Sequence, residues 1–237
     1  MRILKMPQQI MNIYFIACLL VIGLTSTHAT STTENPSEAA QTAREQLIEA
    51  VTADYLKLLD YEVNESKELV ERVLDDDRFQ NIRSEMLLNK KIMLRNYVEF
   101  VKEKSMKKQP SKEYKAPLFF YVFGKSLLYT DFLDIVARLE PTLNPYDCWI
   151  EQDFMSFGLE TFIDTLNQKR AMLVRESVRR IDDYVNGLSP EQQRKAVAQK
   201  LSDWSGKLKE ATEVQDKMGV LKDFLRDYYL ETPVEML

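Results

Sequence analysis

The stretch from Pro117 to Glu140 constrains the fold of this chain more than any other part of the sequence. It carries apolar residues on almost every side of a helix, and Tyr129, Phe132 and Val136 recur at the helical steps of three and four residues. A helix that is apolar nearly all round has to be covered by other helices. Residues 117–140 therefore predict the central helix of an all-α bundle.

This stretch is not expected to span a membrane. A spanning helix needs about 20 mainly apolar residues, whereas Lys125, Asp131, Asp134 and Arg138 fall inside this one. Each charge at the centre of a bilayer costs about 2.5 kcal/mol or more. Burial inside a protein core is the interpretation that the sequence favours.

The N-terminus is typical of a secretory signal peptide. Arg2 and Lys5 precede an apolar run over residues 10–24, and small residues follow the run directly. This pattern predicts cleavage after Ala29, which removes residues 1–29 and leaves no membrane span. The alternative is an uncleaved signal anchor that keeps the protein on a membrane. We favour cleavage, so the product is expected to be secreted into the extracellular space.

Cleavage changes the chemistry that the chain has available. His28 is the single histidine, and Cys18 is one of two cysteines, so the mature chain keeps Cys148 and no imidazole. Arg2 and Lys5 are lost from 32 basic residues while all 37 acidic ones remain, which takes the formal net charge from −5 to −7. Catalysis or metal binding through histidine is thereby excluded. No cofactor is expected, and an acidic chain is a poor partner for nucleic acid.

Prolines and capping residues divide the rest of the chain into helices. Residues 30–35 are expected to be disordered, residues 36–232 to form one domain of about five or six helices, and residues 233–237 to form a tail. Asn144-Pro145 and the capping box Ser189–Gln192 predict helix starts. Asn186-Gly187 predicts a left-handed C-cap. The first helix should fade near residues 63–66, and Ser205-Gly206 is a candidate kink.

A long helix is predicted after the run Asp75-Asp76-Asp77, which reads as a helix cap rather than as a calcium loop. Its apolar side is expected to consist of one stripe at helical spacing, made up of Phe79, Ile82, Met86, Met93, Tyr97 and Phe100.

Two positions are candidates for covalent modification. Asn64-Glu65-Ser66 is a sequon, which predicts an exposed glycan on Asn64 in a secreted protein, the alternative being an unused sequon. Cys148 is left without an internal partner, so it either joins two chains in a homodimer or packs as a small hydrophobic side chain.

A basic cluster follows the predicted long helix. One interpretation is a patch that binds extracellular polyanions. The interpretation we favour is a solvated helix C-terminus, where cations complement the helix dipole. The residues of the cluster are Lys102, Lys104, Lys107, Lys108, Lys112 and Lys115.

Carboxylates are the remaining catalytic candidates. A carboxylate-dependent enzyme would need two of them buried close together. The candidates lie on two neighbouring predicted helices and are Asp131, Asp134, Glu140, Glu151, Asp153, Glu160 and Asp164.

Three functions follow from these observations, none of them indicated by a family motif. The first is a secreted, non-catalytic interaction protein that presents helix faces to an extracellular protein partner. The second is a carrier of a lipid or another apolar small molecule in the bundle core. The third, and least favoured, is the carboxylate-dependent enzyme. The general character of a small, acidic, cysteine-poor helical product is compatible with insect salivary, haemolymph or reproductive secretions.

Overall fold

The computed structural model describes residues 38–81, 83–111, 113–140 and 142–230. Regular structure in these ranges is α-helical, which confirms the predicted all-α helical bundle. The predicted signal peptide at 1–29, the segment at 30–35 and the tail at 233–237 lie outside the described residues. The helices are α1 (Glu38–Asp75), α2 (Asp77–Asn81), α3 (Glu85–Ser105), α4 (Lys115–Ala137), α5 (Pro145–Ser156), α6 (Leu159–Asn186), α7 (Pro190–Gln193), α8 (Ala196–Glu210) and α9 (Val214–Leu230).

Helix α1 is the longest helix in the described ranges, and it packs against α2, α3, α4, α5 and α6. It does not fade at residues 63–66, where the sequence predicted an end. Val63 is 1% exposed and Val70 is fully buried, so the same face of the helix stays in the core across this region. Ion pairs between side chains four residues apart, Lys67 with Glu71 and Arg72 with Glu68, support the second half of the helix.

Helix α4 contains most of the apolar stretch that the sequence placed at the centre of the bundle. It packs against α1, α3 and α9. Phe132 is fully buried, but Phe120 is 57% exposed and Leu127 is 39% exposed. Helix α4 is therefore apolar on all sides, but the side with Phe120 and Leu127 is exposed to solvent, because no neighbouring helix in the described ranges covers it.

The ring of Phe132 on α4 packs against aromatic rings from three other helices. Its centroid lies 6.0 Å from that of Tyr97 on α3, 5.8 Å from that of Phe154 on α5 and 6.3 Å from that of Phe162 on α6. Tyr129, one turn earlier on α4, lies 6.1 Å away. Edge-to-face and tilted ring pairs at these distances add to the stabilisation from apolar burial. This aromatic cluster holds α3, α4, α5 and α6 together.

The predicted helix starts at Asn144 and Ser189 are confirmed. The Asn144 side chain accepts a hydrogen bond from the Tyr146 amide, with Pro145 in the first turn. Ser189 and Gln192 form the reciprocal capping box, although the helix it opens, α7, is a single turn. Asp76 also acts as a cap, because its carboxylate accepts a hydrogen bond of 2.8 Å from the Arg78 amide at the start of α2.

The predicted left-handed C-cap at Gly187 is wrong. Gly187 has a φ of −76° and is right-handed. At the end of α6, the Gln193 side-chain amide donates hydrogen bonds to the carbonyl of Val185 in the last turn and to that of Leu188 just beyond the helix. Within residues 38–230, the glycine with a left-handed backbone is Gly158, with a φ of 97°, and it separates α5 from α6.

The final segment also differs from the prediction. Ser205-Gly206 lies inside α8, which continues to Glu210, and a kink at this point stays a prediction. Ser205 is held in the bundle, where its hydroxyl donates a hydrogen bond of 2.6 Å to Asp182 of α6. The helical structure is interrupted at residues 211–213, between α8 and α9, where Ala211 has an extended ψ of 132°.

Candidate interaction surfaces

Helix α3 lies at the edge of the bundle, and its buried stripe differs from the predicted one. It packs against α1 and α4. Of the predicted stripe, Phe79 and Tyr97 are buried and Met93 is partly buried, which confirms that part of the prediction. Met86 is 46% exposed and Phe100 is 40% exposed, so the prediction is wrong for these two residues, and Ile82 lies outside the described residues. The buried side of the helix is centred about one residue further along and is made up of Tyr97 together with Leu87, Leu94, Val98 and Val101.

The solvent side of α3 carries a second stripe with heptad spacing, which we call the outer stripe. It consists of Glu85, Leu88, Ile92, Arg95 and Glu99, at alternating steps of three and four residues. All five side chains are exposed, Leu88 at 50% and Ile92 at 46%. Two large aliphatic side chains flanked by charges of both signs are typical of a helix face that pairs with another helix.

The first part of the predicted basic patch is already engaged within the chain. The Lys102 ammonium lies 3.4 Å from a carboxylate oxygen of Glu71 and 3.5 Å from one of Glu99. The Lys104 ammonium lies over the ring of Phe100, 4.9 Å from its centroid. Both lysines belong to the last turn of α3, as expected for cations at a helix C-terminus.

The second part of the predicted patch is spread along the connection to α4. Lys107 and Lys108 are exposed, and Lys112 lies outside the described residues. Lys115 is at the start of α4, and its ammonium lies 4.7 Å from the centroid of the Tyr228 ring on α9. Binding of a polyanion here stays a prediction.

An open groove of about 490 Å³ lies between α1, the start of α4 and the end of α9. Its floor includes Tyr229, whose hydroxyl is 2.8 Å from the hydroxyl of Thr52, and Tyr228, whose ring is perpendicular to that of Tyr229. Burial raises the pKa of Tyr228 to about 12. Six of the ten other lining residues carry a charge, and the ten are Glu45, Glu49, Ala53, Leu56, Lys57, Asp60, Gln109, Glu113, Lys115 and Leu118.

A charged cluster is buried between α1, α6 and α9. Two nitrogens of the Arg170 guanidinium donate to the same Glu62 oxygen, at 3.0 and 2.7 Å, and a third donates to Gln215 at 3.3 Å. Burial raises the pKa of Glu62, and Arg170 and Lys222 oppose that shift. Burial also lowers the pKa of Lys222. Tyr129 completes the cluster, since its ring lies 5.2 Å from the Arg170 guanidinium carbon.

Helix α5 buries two further aspartates, Asp147 and Asp153, which are each 1% exposed. One Asp147 oxygen accepts hydrogen bonds from the Lys90 ammonium at 3.0 Å and from the Glu140 amide at 2.8 Å. Asp153 pairs with Arg78 of α2. These ion pairs attach α5 to the segments that lie between α1 and α4.

The predicted catalytic carboxylates are not brought together as a buried pair. Of the seven, Asp153 is buried, and it is paired with Arg78; the others are exposed or half-buried. Among the exposed candidates, the pKa of Asp131 is raised by burial and by the neighbouring Asp134 charge. The described residues contain no group of three or more Cys, Asp or Glu side chains arranged to hold a metal ion.

The sequon lies in the interior of α1. Asn64 is exposed, so a glycan attached to it would extend into solvent. Ser66 is fully buried, and its hydroxyl bonds to the Glu62 carbonyl at 2.7 Å and to the Tyr97 hydroxyl at 2.7 Å. The hydroxyl that the sequon requires is therefore inaccessible after folding, and any glycan has to be added before α1 packs.

Cys148 lies in the first turns of α5 as a partly exposed free thiol. Its sulfur accepts a contact of 3.5 Å from the Gln152 amide group. The side chain is neither deep in the core nor fully open to solvent. A disulfide to a second chain stays a prediction.

Among the described helices, none is both long and apolar enough to cross a membrane. Comparison of the chain with known protein families, with characterised protein sequences and with solved structures found no match.

Proposed function

We propose that this chain is an exported, non-catalytic interaction protein that contacts its partner through the outer stripe of α3. One observation carries the proposal. Leu88 and Ile92 are about half exposed, at 50% and 46%, on a helix that packs against α1 and α4 on its other side. Large aliphatic side chains in register on a solvent-facing helix are typical of a docking face.

Export is part of the proposal and rests on the N-terminal sequence. A charged start, an apolar run and the small residues before Thr30 support removal of residues 1–29. Expression of the full chain in a secretory cell tests this directly. Intact mass spectrometry should find in the medium a protein that begins at Thr30, whereas a cell-bound product that retains Met1 would contradict export.

The interaction itself is tested by native mass spectrometry of secreted material, concentrated so that a weak complex is populated. We expect a complex of discrete mass that is lost in Leu88→Asp, because a charge at the centre of the outer stripe cannot be desolvated. Met172 of α6 is 58% exposed and supplies the matched control. Met172→Asp should leave the complex intact, and equal loss in both variants, or no complex in the wild type, would contradict the proposal.

The groove between α1, α4 and α9 favours a second candidate function, the binding of a small molecule. Its volume of about 490 Å³ falls in the range of ligand sites. Its charged and aromatic lining suits an amphipathic ligand at the surface better than a lipid enclosed in the core. Native mass spectrometry before and after organic extraction separates the candidates, since a carrier releases a small ligand and an interaction protein does not.

The carboxylate-dependent enzyme gains no support from the described geometry. Each buried carboxylate in the described ranges pairs with a lysine or an arginine, as in Glu62–Arg170, Asp147–Lys90 and Asp153–Arg78. Such pairs are typical of structural contacts between helices. We therefore retain the interaction protein as the function that the geometry supports best.

A further inference from the structure

We propose that the partner of the outer stripe is a second copy of this chain, bound in antiparallel orientation. This inference rests on the proposed function, because it names the occupant of the same surface. It is carried by the order of the charged and apolar positions along the stripe, which reads acidic, Leu, Ile, basic, acidic from Glu85 to Glu99.

The spacing fixes the register of the pair. Glu85, Ile92 and Glu99 occupy one heptad position, and Leu88 and Arg95 occupy the other. In an antiparallel pair of helices, residues at the first heptad position of one helix face residues at the second heptad position of the other helix. When the twofold axis lies level with residue 90, Leu88 faces Ile92 of the second copy and Glu85 faces Arg95 of the second copy. Both relationships occur twice by symmetry, so the apolar centre is closed at each end by an ion pair.

A parallel pair of the same helices is disfavoured. It would place Glu85 opposite Glu85 and Arg95 opposite Arg95, and like charges facing each other across a helix seam repel. The charge order therefore selects the antiparallel arrangement as well as the partner.

The contact is small. The four paired side chains on each copy cover less than the ~800 Å² per partner that is usual for stable complexes. We expect a weak dimer that forms at high concentration and dissociates on dilution.

Sedimentation of the purified mature chain over a wide concentration range, in the presence of a reductant, tests the inference. Glu85→Arg should weaken association about tenfold, because it replaces two attractive charge pairs by two repulsive ones. The double variant Glu85→Arg with Arg95→Glu should restore association, because each pair is again of opposite sign. Asp164→Arg makes the same kind of charge change on an exposed position of α6 and should have no effect.

The double variant also separates this inference from a local effect. Glu85 lies in the first turn of α3, where an acidic side chain favours the helix. If Glu85→Arg acted through the helix alone, the exchange at Arg95 would restore nothing. Circular dichroism of each variant confirms that the fold is kept.

A monomer at every concentration would overturn self-association, as would equal association of the single and double charge variants. A dimer that forms without reductant and disappears with it, or in Cys148→Ser, would also overturn the inference, because the link would then be a disulfide. Should the purified chain stay monomeric while the secreted material gives a Leu88-dependent complex with another protein, the proposed function stands and only the identity of the partner fails.

Discussion

Arg170 and Glu62 are 108 residues apart in sequence and form an ion pair inside the bundle, with the guanidinium donating two hydrogen bonds to one carboxylate oxygen. Glu62 is 5% exposed and Arg170 is 12% exposed, measured on their side chains. The pair joins α1 to α6 inside the bundle, next to Gln215 and Lys222 of α9, and Arg170 is the main cation that compensates the buried Glu62 carboxylate.

Removal of one partner should therefore be costly. Arg170→Met leaves the Glu62 carboxylate buried without its main cation, and we expect a loss of about 3–5 kcal/mol in the free energy of unfolding. The double variant Glu62→Leu with Arg170→Met should recover part of that loss, because no carboxylate is then buried without its cation, while Lys222 loses the neighbouring Glu62 charge. Urea denaturation of the single and double variants measures both values, and an Arg170→Met variant as stable as the wild type would contradict this account.

The two residues of the sequon should differ sharply in their effect on stability. Ser66→Ala leaves the buried Tyr97 hydroxyl without its partner, and we expect a loss of about 1–3 kcal/mol. Asn64→Gln changes an exposed side chain and should stay within about 0.5 kcal/mol of the wild type. If a glycan is present, both variants abolish it and should lose the same glycan mass. Equal stability of the two variants would show that Ser66 is not held in the core.

The aromatic cluster around Phe132 should be the most sensitive part of the core. Phe132→Ala removes a fully buried ring that contacts three other helices, with an expected loss of about 3–5 kcal/mol. Leu127→Ala, on the exposed side of the same helix, should cost less than about 1 kcal/mol. Thermal denaturation of the pair tests the orientation of α4, since similar costs would mean that α4 is rotated.

Buried tyrosines should make the fold sensitive to alkali. Burial raises the pKa of both Tyr129 and Tyr228 to about 12, from an ordinary value of 10.0. Between these values the folded state keeps protons that the unfolded state has lost, so the free energy of unfolding falls as the pH rises. Urea denaturation at a series of alkaline pH values should show this fall, and it should be shallower in Tyr129→Phe. A free energy of unfolding that stays constant across this interval would contradict the burial of both phenols.

Local signals in the sequence identified the fold class and several helix ends. Asn144-Pro145 and Ser189–Gln192 are short motifs whose capping hydrogen bonds form within a few residues, and both start helices as predicted. Gly187 and Gly158 show the limit of this reasoning. Either glycine can adopt a left-handed backbone, and local sequence does not show that the Gln193 side chain bonds to the Val185 carbonyl in the last turn of α6.

The exposure of the outer stripe could not be predicted from the sequence, for a related reason. Met86 and Leu87 begin two adjacent stripes of α3 that are equally apolar and repeat every seven residues. Which stripe is buried depends on the positions of α1 and α4, which are set by distant contacts such as the Ser66–Tyr97 hydrogen bond. The exposure of Leu88 and Ile92 follows from the same choice, so periodicity alone did not indicate it.

Site-specific photo-crosslinking tests the central claim most directly. A photoreactive phenylalanine analogue replaces Leu88 in one sample of the secreted protein and Met172, an exposed residue of α6, in another. If α3 presents the contact surface, position 88 should give a crosslinked product of discrete mass and position 172 should give none. Product from position 172 alone, or from neither position, would contradict the assignment of the outer stripe as the interface.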